Sequence, residues 1–364
     1  MSIPVSDAHA ASYRARQVPA TTELVDGVWA VPVPLHGSAL RYVTVFLIDT
    51  ADGLVLVDAG YDHPSCWTSL RESVAALGHR VEAITTVLLT HNHPDHVGLA
   101  ARLREVAGAR IVMGAADDFA TMHRTRGPFL DQLRAALELT GAPRAVVEAM
   151  YADAVAVAEH HENLPLDLAL TDATALRFGD VTIHAVPTPG HTYGHTVYLD
   201  DRGLVFTGDT MMAEGPTQLA IVSRADDDPA RDLFDSLARI GDLGAAIACP
   251  AHQYPYRDPA GRAERLAAFH RDEIDTVRQL AHDAAGPDRR AGTAGADLHA
   301  GTAGADLHAG TAGADPAAGG VTAWQLAQRM TWKKPWDDLG RGTRRFALVH
   351  ALALLRHATG TARR

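Results

Sequence analysis

The sequence has few of the features that mark secreted, membrane-spanning or nucleic-acid-binding proteins. It has two cysteines, Cys66 and Cys249, in 364 residues, which is too few for a disulfide framework and suits a reducing compartment. No run of about 18 apolar residues occurs, and the first twenty residues lack the apolar segment of a secretory signal. The net charge of −11 argues against a chain built mainly to hold nucleic acid. We therefore expect a cytoplasmic protein without a membrane partner.

The composition is that of a folded protein, and 364 residues suggest about two domains. Residues 1–20 are polar, so we expect a disordered N-terminus ahead of a folded domain at residues 21–284. Residues 291–317 hold a Gly/Ala-rich unit in two near-identical copies and a decayed third copy. Because such a repeat buries too little apolar surface to fold alone, residues 285–320 are predicted to form a flexible linker rather than a solenoid.

Short runs rich in β-branched residues, typical of strands, alternate with helical patterns along the folded domain. The predicted strands are residues 27–33, 42–49, 53–58, 85–89, 110–113, 174–178, 181–186, 196–199, 204–207 and 245–249. The predicted helices are residues 65–77, 97–106, 228–240 and 258–282, with two or three more in an insertion at residues 115–165. Two β-rich halves separated by helices favour an α/β sandwich over a doubly wound sheet.

The C-terminal segment at residues 321–364 has a character of its own. Its patterns predict amphipathic helices at residues 322–330 and 344–358. It carries nine basic and two acidic residues, a local net charge of +7 that is opposite in sign to the whole chain. We expect a compact, separate basic module.

The strongest chemical signal is the segment Thr-His-Asn-His-Pro-Asp-His at residues 90–96, directly after the apolar run at residues 85–89. Three imidazoles and a carboxylate within six residues are costly to bury without a partner. At the turn after a strand they can converge on one point, and this donor set suits zinc, with iron or manganese as alternatives. A solvated polar turn is disfavoured because downstream residues complete the set.

Three further residues of the types that bind metal ions follow apolar runs later in the chain. His191 follows the run at 181–186, Asp209 lies in a Thr-Gly-Asp-Thr turn, and His252 lies in Cys-Pro-Ala-His. Each alone would be a weak signal. Together, loops at the ends of apolar runs would bring seven ligands to one edge of a sandwich. The candidate ligands are His91, His93, Asp95, His96, His191, Asp209 and His252.

This ordered set, with Val-Asp-Ala-Gly at residues 57–60 upstream, resembles the metallo-β-lactamase superfamily over about residues 24–282. The resemblance implies an αββα sandwich, with residues 21–284 as the catalytic domain and two metals at one edge. It further implies the following ligand sets: His91, His93 and His191 on one metal, Asp95, His96 and His252 on the other, and Asp209 as the bridge.

Details of the motif narrow the branch of the family. β-Lactamases usually carry Cys or Ser at the position of Asp209, and flavodiiron oxidases carry Glu at the position of His93. Nucleases of the β-CASP type carry a large domain that the short stretch between Asp209 and His252 cannot hold. What remains resembles the glyoxalase II branch, which cleaves thioesters, lactones and other esters.

This resemblance predicts a hydrolase that acts on a small acyl substrate such as a coenzyme A or glutathione thioester. A metal-activated water would attack the carbonyl, and Asp95 is the candidate catalytic proton acceptor. An endoribonuclease is the alternative, because residues 322–327 and 347–355 resemble the winged-helix tail of the β-lactamase-like protein 2 group. A lactonase is a third possibility. The tail could equally pack on the domain or mediate a homodimer.

Weaker candidates surround the ligand set. Asp58 and His195 are candidates to orient a ligand imidazole, although each could also be an ordinary polar residue at a strand end. Tyr193 is a candidate hydrogen-bond donor to substrate. A cluster in the insertion could bind a substrate carboxylate or phosphate, with a solvated basic turn offsetting Asp117 and Asp118 as the alternative. The cluster consists of His123, Arg124 and Arg126.

Overall fold

The computed structural model describes residues 2–35, 38, 40–158, 164–285 and 320–360. The repeat at residues 291–317, and with it nearly all of the predicted linker, lies outside the described residues. The flexible linker therefore stays a prediction.

The described strands form two seven-stranded sheets. One sheet runs in the order β2 (Thr22–Val25), β3 (Val28–Pro34), β4 (Tyr42–Thr50), β5 (Gly53–Val57), β6 (Ile84–Leu88), β7 (Arg110–Gly114) and β8 (Leu168–Leu170). The other runs in the order β1 (Ile3–Pro4), β14 (Tyr256–Arg257), β13 (Ile247–Pro250), β12 (Leu204–Gly208), β11 (Thr196–Asp200), β10 (Val181–Pro187) and β9 (Thr174–Phe178).

Helices cover the outer faces of both sheets. In chain order the described α-helices are α1 (Asp7–Arg14), α2 (Pro64–Ala76), α3 (Pro94–Val97), α4 (Ala100–Ala107), α5 (Phe119–Arg126), α6 (Phe129–Leu139), α7 (Arg144–Ala158), α8 (Pro229–Asp242), α9 (Pro259–Ala285), α10 (Ala323–Ala327) and α11 (Arg341–Thr359).

Alternation of side chains along each strand explains the layers. On β4, Val45 and Leu47 pack into the core shared with α2 and α4, whereas Phe46 faces the other sheet. Its ring lies 5.1 Å from that of Phe206 on β12, measured between centroids. Val205, next to Phe206, faces outward into the core under α8 and α9. The predicted αββα sandwich is confirmed.

Two pairs of parallel strands define the edge that carries the site. β5 is parallel to β6 in one sheet, and β12 is parallel to β13 in the other. Parallel neighbours end at the same edge of a sheet, and ligand sites in α/β proteins lie beyond the carboxyl ends of such strands. The loops after these four strands carry Asp58, residues 90–96, Asp209 and His252.

The prediction that residues 1–20 are disordered is wrong for the described residues 2–20. β1 pairs with β14, with Ile3 opposite Arg257, and α1 starts at the capping residue Ser6 and buries His9 and Ala10. A strand of two residues and a helix of eight residues are too short for their patterns to stand out in a polar segment.

The C-terminal module is helical as predicted, but it is not separate. Leu326 of α10 and Leu348 of α11 lie in one core with Leu237 of α8 and Leu266 of α9. The apolar faces of these helices are therefore buried against the catalytic domain. Residues 320–360 contain no strand, so a winged-helix assignment stays a prediction.

The insertion at residues 115–165 is helical in its described part. It starts with a 3-10 turn at Ala115–Asp117 and continues through α5, α6 and α7. Leu133 and Val147 of this insertion share the core that contains Leu348, so the insertion and the C-terminal helices form one packed unit. Across the described residues no helix has the length and apolar character needed to cross a bilayer.

Candidate metal centre

A strand-to-helix turn positions the first four candidate ligands. β6 ends at Leu88, and α3 begins at Pro94, where the fixed φ of proline suits the first helical position. His91 and His93 lie in the turn, while Asp95 and His96 lie on α3. His91 and His96 are fully buried, so their ring nitrogens need partners within the protein or a bound ion.

The three histidines His91, His93 and His191 form one group. Nε2 of His91 lies 2.8 Å from Nδ1 of His93, and Nε2 of His191 lies 3.1 Å from the same atom. Burial lowers the pKa of all three imidazoles, that of His93 to about 3. Neutral imidazoles whose nitrogens face one another are the form in which histidine binds a metal ion, and these three nitrogens could hold one.

Asp95, His96 and His252 form a second group that could hold an ion. Nε2 of His96 lies 3.7 Å from Oδ1 of Asp95, and Nε2 of His252 lies 3.3 Å from Oδ2 of Asp95. Burial lowers the pKa of His96, but the nearby carboxylates outweigh it and raise the pKa to about 10. The group therefore attracts positive charge, which a divalent cation would supply.

Asp209 lies between the two groups. Its Oδ1 is 3.7 Å from Nε2 of His96 and 3.5 Å from Nε2 of His252, and its Oδ2 is 3.8 Å from Nε2 of His191. Within the described part of the chain, Nε2 of His96, Nε2 of His252 and Oδ1 of Asp209 are buried without a hydrogen-bond partner. Buried polar atoms are rarely left unpaired, so their shared direction fits a bound divalent cation.

Three of the five candidate ligand imidazoles are held from behind by an acceptor. Nδ1 of His96 donates to Oδ2 of Asp58 at 2.8 Å, Nδ1 of His191 donates to the carbonyl of Gln218 at 2.8 Å, and Nδ1 of His252 donates to the carbonyl of Tyr42 at 3.0 Å. A proton on Nδ1 leaves the lone pair on Nε2, directed at the centre.

Asp58 is thus placed where the sequence suggested, behind a ligand. It also accepts from the backbone N–H of Thr90 at 2.8 Å. The φ of Asp58 is 58°, a left-handed conformation that aspartate adopts more readily than most residues. The residue therefore ties the end of β5 to the turn that follows β6.

The structure also brings His195 to the centre. Its ring is fully buried and stacks on His91, with centroids 5.2 Å apart at 27°. Its Nδ1 lies 3.1 Å from Oγ1 of Thr188. Gly208, just before Asp209, leaves room for this ring, since a Cβ on Gly208 would lie 2.7 Å from Nε2 of His195.

The residues suggested for substrate binding are largely engaged with the protein. Tyr193 donates its hydroxyl to the carbonyl of Ile221 at 3.0 Å. The guanidinium of Arg126 lies 3.7 Å from the centre of the Tyr193 ring and pairs with Asp227 at 2.6 Å. Arg126 therefore joins α5 to the segment before α8 and is not free to bind a substrate anion.

The other two members of the basic cluster lie on the surface. His123 and Arg124 are exposed on α5, and Arg124 donates to Oγ1 of Thr121 at 3.1 Å. This placement agrees with the alternative of a solvated basic turn. The two acidic residues that this turn was expected to offset are engaged elsewhere. Asp118 caps α5 by accepting from the N–H of Thr121, and Asp117 is buried.

Asp117 is a supporting residue that the sequence did not indicate. It is buried and accepts from Oγ1 of Thr192 at 2.5 Å and from the N–H of Gly194 at 2.8 Å. Burial raises its pKa to about 6. A Cβ on Gly114 would collide with the carbonyl of Gly194. This close approach, which needs glycine, is a local sign that the end of β7 holds the loop of His191.

Solved structures with this architecture include a metallo-β-lactamase family protein from Thermus thermophilus, with a TM-score of 0.68 and 24% identity over 93% of this chain and 95% of that chain. A β-lactamase domain protein from Burkholderia ambifaria gives a TM-score of 0.69 at 21% identity, covering 94% of this chain and 91% of that chain. At these identities the likeness establishes the fold.

Curated relatives include a hydroxyacylglutathione hydrolase of Cereibacter sphaeroides, 31% identical over 50% of this chain and 53% of the relative. The chain thus spans about half the length of that relative. An atrochrysone carboxyl ACP thioesterase of Aspergillus fumigatus is 27% identical over 58% of this chain and 51% of the relative. The family model described as the metallo-β-lactamase superfamily matches residues 39–252, which include all seven candidate ligands. The chain belongs to the metallo-β-lactamase superfamily.

Proposed function

We propose that this protein is a metal-dependent hydrolase that uses two divalent ions, with zinc first and iron or manganese as alternatives, to cleave a thioester or ester of a small acyl substrate. The observation that carries the proposal is the convergence of seven buried or half-buried side chains on one edge of the sandwich. Three of their polar atoms have no hydrogen-bond partner among the residues that the structure describes.

His91, His93 and His191 would hold one ion, Asp95, His96 and His252 the other, and Asp209 would contact both. Divalent ions, when bound, supply the Lewis acidity that activates water at neutral pH and polarises the scissile carbonyl. The protein side chains would hold the ions in place and shield them from bulk water. The partly exposed members are His93, Asp95 and Asp209. Asp95 and Asp209 expose 20% and 13% of their side chains, so substrate would approach from the side of these three residues.

Asp95 is the proposed proton acceptor. Burial alone would raise its pKa, but His96 and His252 beside it hold the pKa well below its usual range. The residue is therefore a carboxylate at neutral pH and can take a proton at Oδ1 or Oδ2 from the attacking water. The same group can return that proton to the leaving thiolate or alkoxide.

A thioester is favoured by the names of the relatives, which include a hydroxyacylglutathione hydrolase and an atrochrysone carboxyl ACP thioesterase. The basic C-terminal residues, which suggested RNA, are partly engaged within the protein. Arg341 pairs with Asp153 at 3.1 Å, and Arg345 donates to the carbonyl of Met150 at 3.4 Å. A cytoplasmic location and a homodimer stay predictions.

The test is thiol release from acyl-coenzyme A and acylglutathione by metal-loaded protein, beside Asp95→Ala and the control Asp275→Ala. Asp275 lies on α9 with 70% of its side chain exposed. We expect release by wild type and the control, and a loss of at least ~10² in turnover for Asp95→Ala. Equal release by Asp95→Ala would contradict the role of Asp95, and absence of release by wild type would contradict the thioester substrate.

A further inference from the structure

A second cluster of buried titratable side chains lies outside the metal centre and joins α9 to α11. His270 and His350 are 1% and 4% exposed. Nδ1 of His270 lies 2.9 Å from Oε2 of Glu273, and Nε2 of His350 lies 3.5 Å from the same oxygen. These three side chains are close enough to hold a metal ion, so the protonation of the two rings decides what the cluster does.

The position of the proton on each ring follows from the contact made by the ring nitrogen that faces away from Glu273. The backbone N–H of Thr217 donates to Nε2 of His270 at 3.3 Å, and the backbone N–H of Leu219 donates to Nδ1 of His350 at 3.4 Å. A peptide N–H can only donate, so both of these ring nitrogens must carry a lone pair. In each neutral ring the proton then lies on the nitrogen that faces Glu273.

Glu273 matches this arrangement. Burial would raise its pKa, but the two histidines beside it outweigh this effect and lower the pKa to about 2. Glu273 is therefore a carboxylate that faces two N–H groups. Nδ1 of His270 and Oε2 of Glu273 form an ion-pair contact, but neither atom makes a well-directed hydrogen bond among the described residues. The backbone N–H groups of Thr217 and Leu219 can only donate, so they decide which nitrogen of each ring carries the proton.

An ion bound at Glu273 would require the opposite arrangement. Coordination needs a lone pair on the ring nitrogens that face the carboxylate. The protons of His270 and His350 would then point at the N–H groups of Thr217 and Leu219, and both hydrogen bonds would be lost. The geometry therefore favours a network of two backbone hydrogen bonds and two ion-pair contacts over a further metal site.

The network ends at the metal centre. Between Thr217 and Leu219 lies Gln218, whose carbonyl accepts from Nδ1 of the candidate ligand His191 at 2.8 Å. The side chain of Gln218 donates to the carbonyl of Phe346 on α11 at 3.2 Å. The segment 217–219 is thus held on one side by the C-terminal helix and holds His191 on the other.

We propose that Glu273 is a positioning residue for the metal centre. Through His270 and His350 it holds the segment 217–219, and through the carbonyl of Gln218 it directs Nε2 of His191 at the ion. The proposal rests on the proposed metal centre but not on the identity of the substrate. It also gives α11 a role, because α11 supports the segment 217–219, which in turn holds the candidate ligand His191.

The first test is the protonation of the two rings in the wild-type protein. Long-range proton–nitrogen NMR spectra of histidine-labelled, zinc-loaded protein would be assigned with His270→Gln and His350→Gln. We expect an unprotonated Nε2 in His270 and an unprotonated Nδ1 in His350. The opposite tautomer, or a zinc-bound nitrogen, in either ring would overturn the proposal even if the protein hydrolyses thioesters.

The second test is zinc affinity by competition with a chelator, which needs no substrate. We expect Glu273→Gln to bind zinc about 10-fold more weakly than wild type, at the lower end of the effect of residues behind a ligand. Glu264→Gln, the same change at an exposed position of α9, should bind as wild type does. His350→Asn keeps an acceptor for the N–H of Leu219 and should lose less affinity than His350→Leu.

Equal zinc affinity for Glu273→Gln and Glu264→Gln would overturn the proposal. If Glu273→Gln binds zinc more weakly as expected but the wild-type protein hydrolyses no thioester, the proposed substrate is contradicted and Glu273 remains a positioning residue. Cobalt-substituted protein offers a spectroscopic check, because a displaced His191 should change the d–d absorption bands of Glu273→Gln. Unchanged bands in Glu273→Gln would contradict the proposed path through Gln218.

Discussion

The metal centre and the Glu273 cluster are both built from histidines and carboxylates and are both largely buried, yet they differ in what lies behind the imidazoles. At the metal centre, Nδ1 of His96 and of His191 faces an acceptor, a carboxylate or a carbonyl oxygen. In the Glu273 cluster, the rear nitrogens of His270 and His350 face peptide N–H donors. An acceptor behind the ring directs a lone pair inward, and a donor directs a proton inward.

This difference teaches that histidine and carboxylate content does not by itself identify a metal site. Both clusters bring three donor atoms within metal-binding distance of one another. The partner behind each ring selects the tautomer, and the tautomer decides between coordination and hydrogen bonding. Substituting the residues that provide these partners is therefore the most direct test of whether they decide between coordination and hydrogen bonding.

The largest effect is expected for Asp58→Ala. The change removes the acceptor behind His96, so Nδ1 of His96 loses the partner that keeps Nε2 directed at the centre. We expect about a 10- to 100-fold loss of zinc affinity, measured by chelator competition. Asp226→Ala, at a position with 67% of its side chain exposed, is the control. Equal affinities for the two variants would show that the acceptor behind His96 does not matter.

A smaller effect, visible in stability, is expected for Asp117→Asn. Burial raises the pKa of Asp117 in the folded state from 3.8 to about 6. A carboxyl group whose pKa is raised by folding stabilises the folded state while it is protonated, and this contribution is lost as pH rises from about 4 to about 6. Asparagine does not titrate. The free energy of unfolding of wild type, relative to Asp117→Asn, should therefore fall across this range.

Denaturant unfolding at several pH values would measure that difference. Asp118→Asn, at the cap of α5, is the matched control for a lost carboxylate next to Asp117. A difference between wild type and Asp117→Asn that stays constant or rises from pH 4 to pH 6, about the interval between the two pKa values, would contradict the assignment.

The smallest effect is expected for Arg124→Ala. Arg124 lies on the exposed face of α5 and donates to Thr121 of the same helix. Surface contacts of this kind contribute about 0–1 kcal/mol. We expect KM for thioester substrates to stay within about twofold of wild type. A large increase in KM would restore the anion-binding role that its sequence suggested.

The sequence predicted those parts of the site that are local in the chain. Residues 90–96 follow a short apolar strand, so strand, turn and ligands could be recognised together. Runs rich in β-branched and apolar residues also predicted ten of the strands, but not β1, β2, β8 or β14. By contrast, Asp117 meets Thr192 and Gly194 only in the folded chain, and Glu273 meets His350 across two helices. Contacts between residues so far apart leave no periodic pattern in the sequence.

The errors of prediction have related causes. The segment at residues 97–106 was predicted as one helix, but α3 ends at Val97 and α4 begins at Ala100. The break lies at Gly98, where a Cβ would collide with the backbone N–H of Asp62. The C-terminal helices seemed independent because their charge differs from that of the whole chain. Their apolar faces nevertheless pack against α8 and α9, and burial of those faces determines their position.

Anomalous diffraction at the zinc absorption edge, from crystals of zinc-loaded protein, tests the central claim most directly. The account predicts two peaks, one among His91, His93 and His191 and one among Asp95, His96 and His252, with Asp209 between them. It predicts no peak beside Glu273. A peak between His270 and His350, or no peak among the seven candidate ligands, would contradict the account.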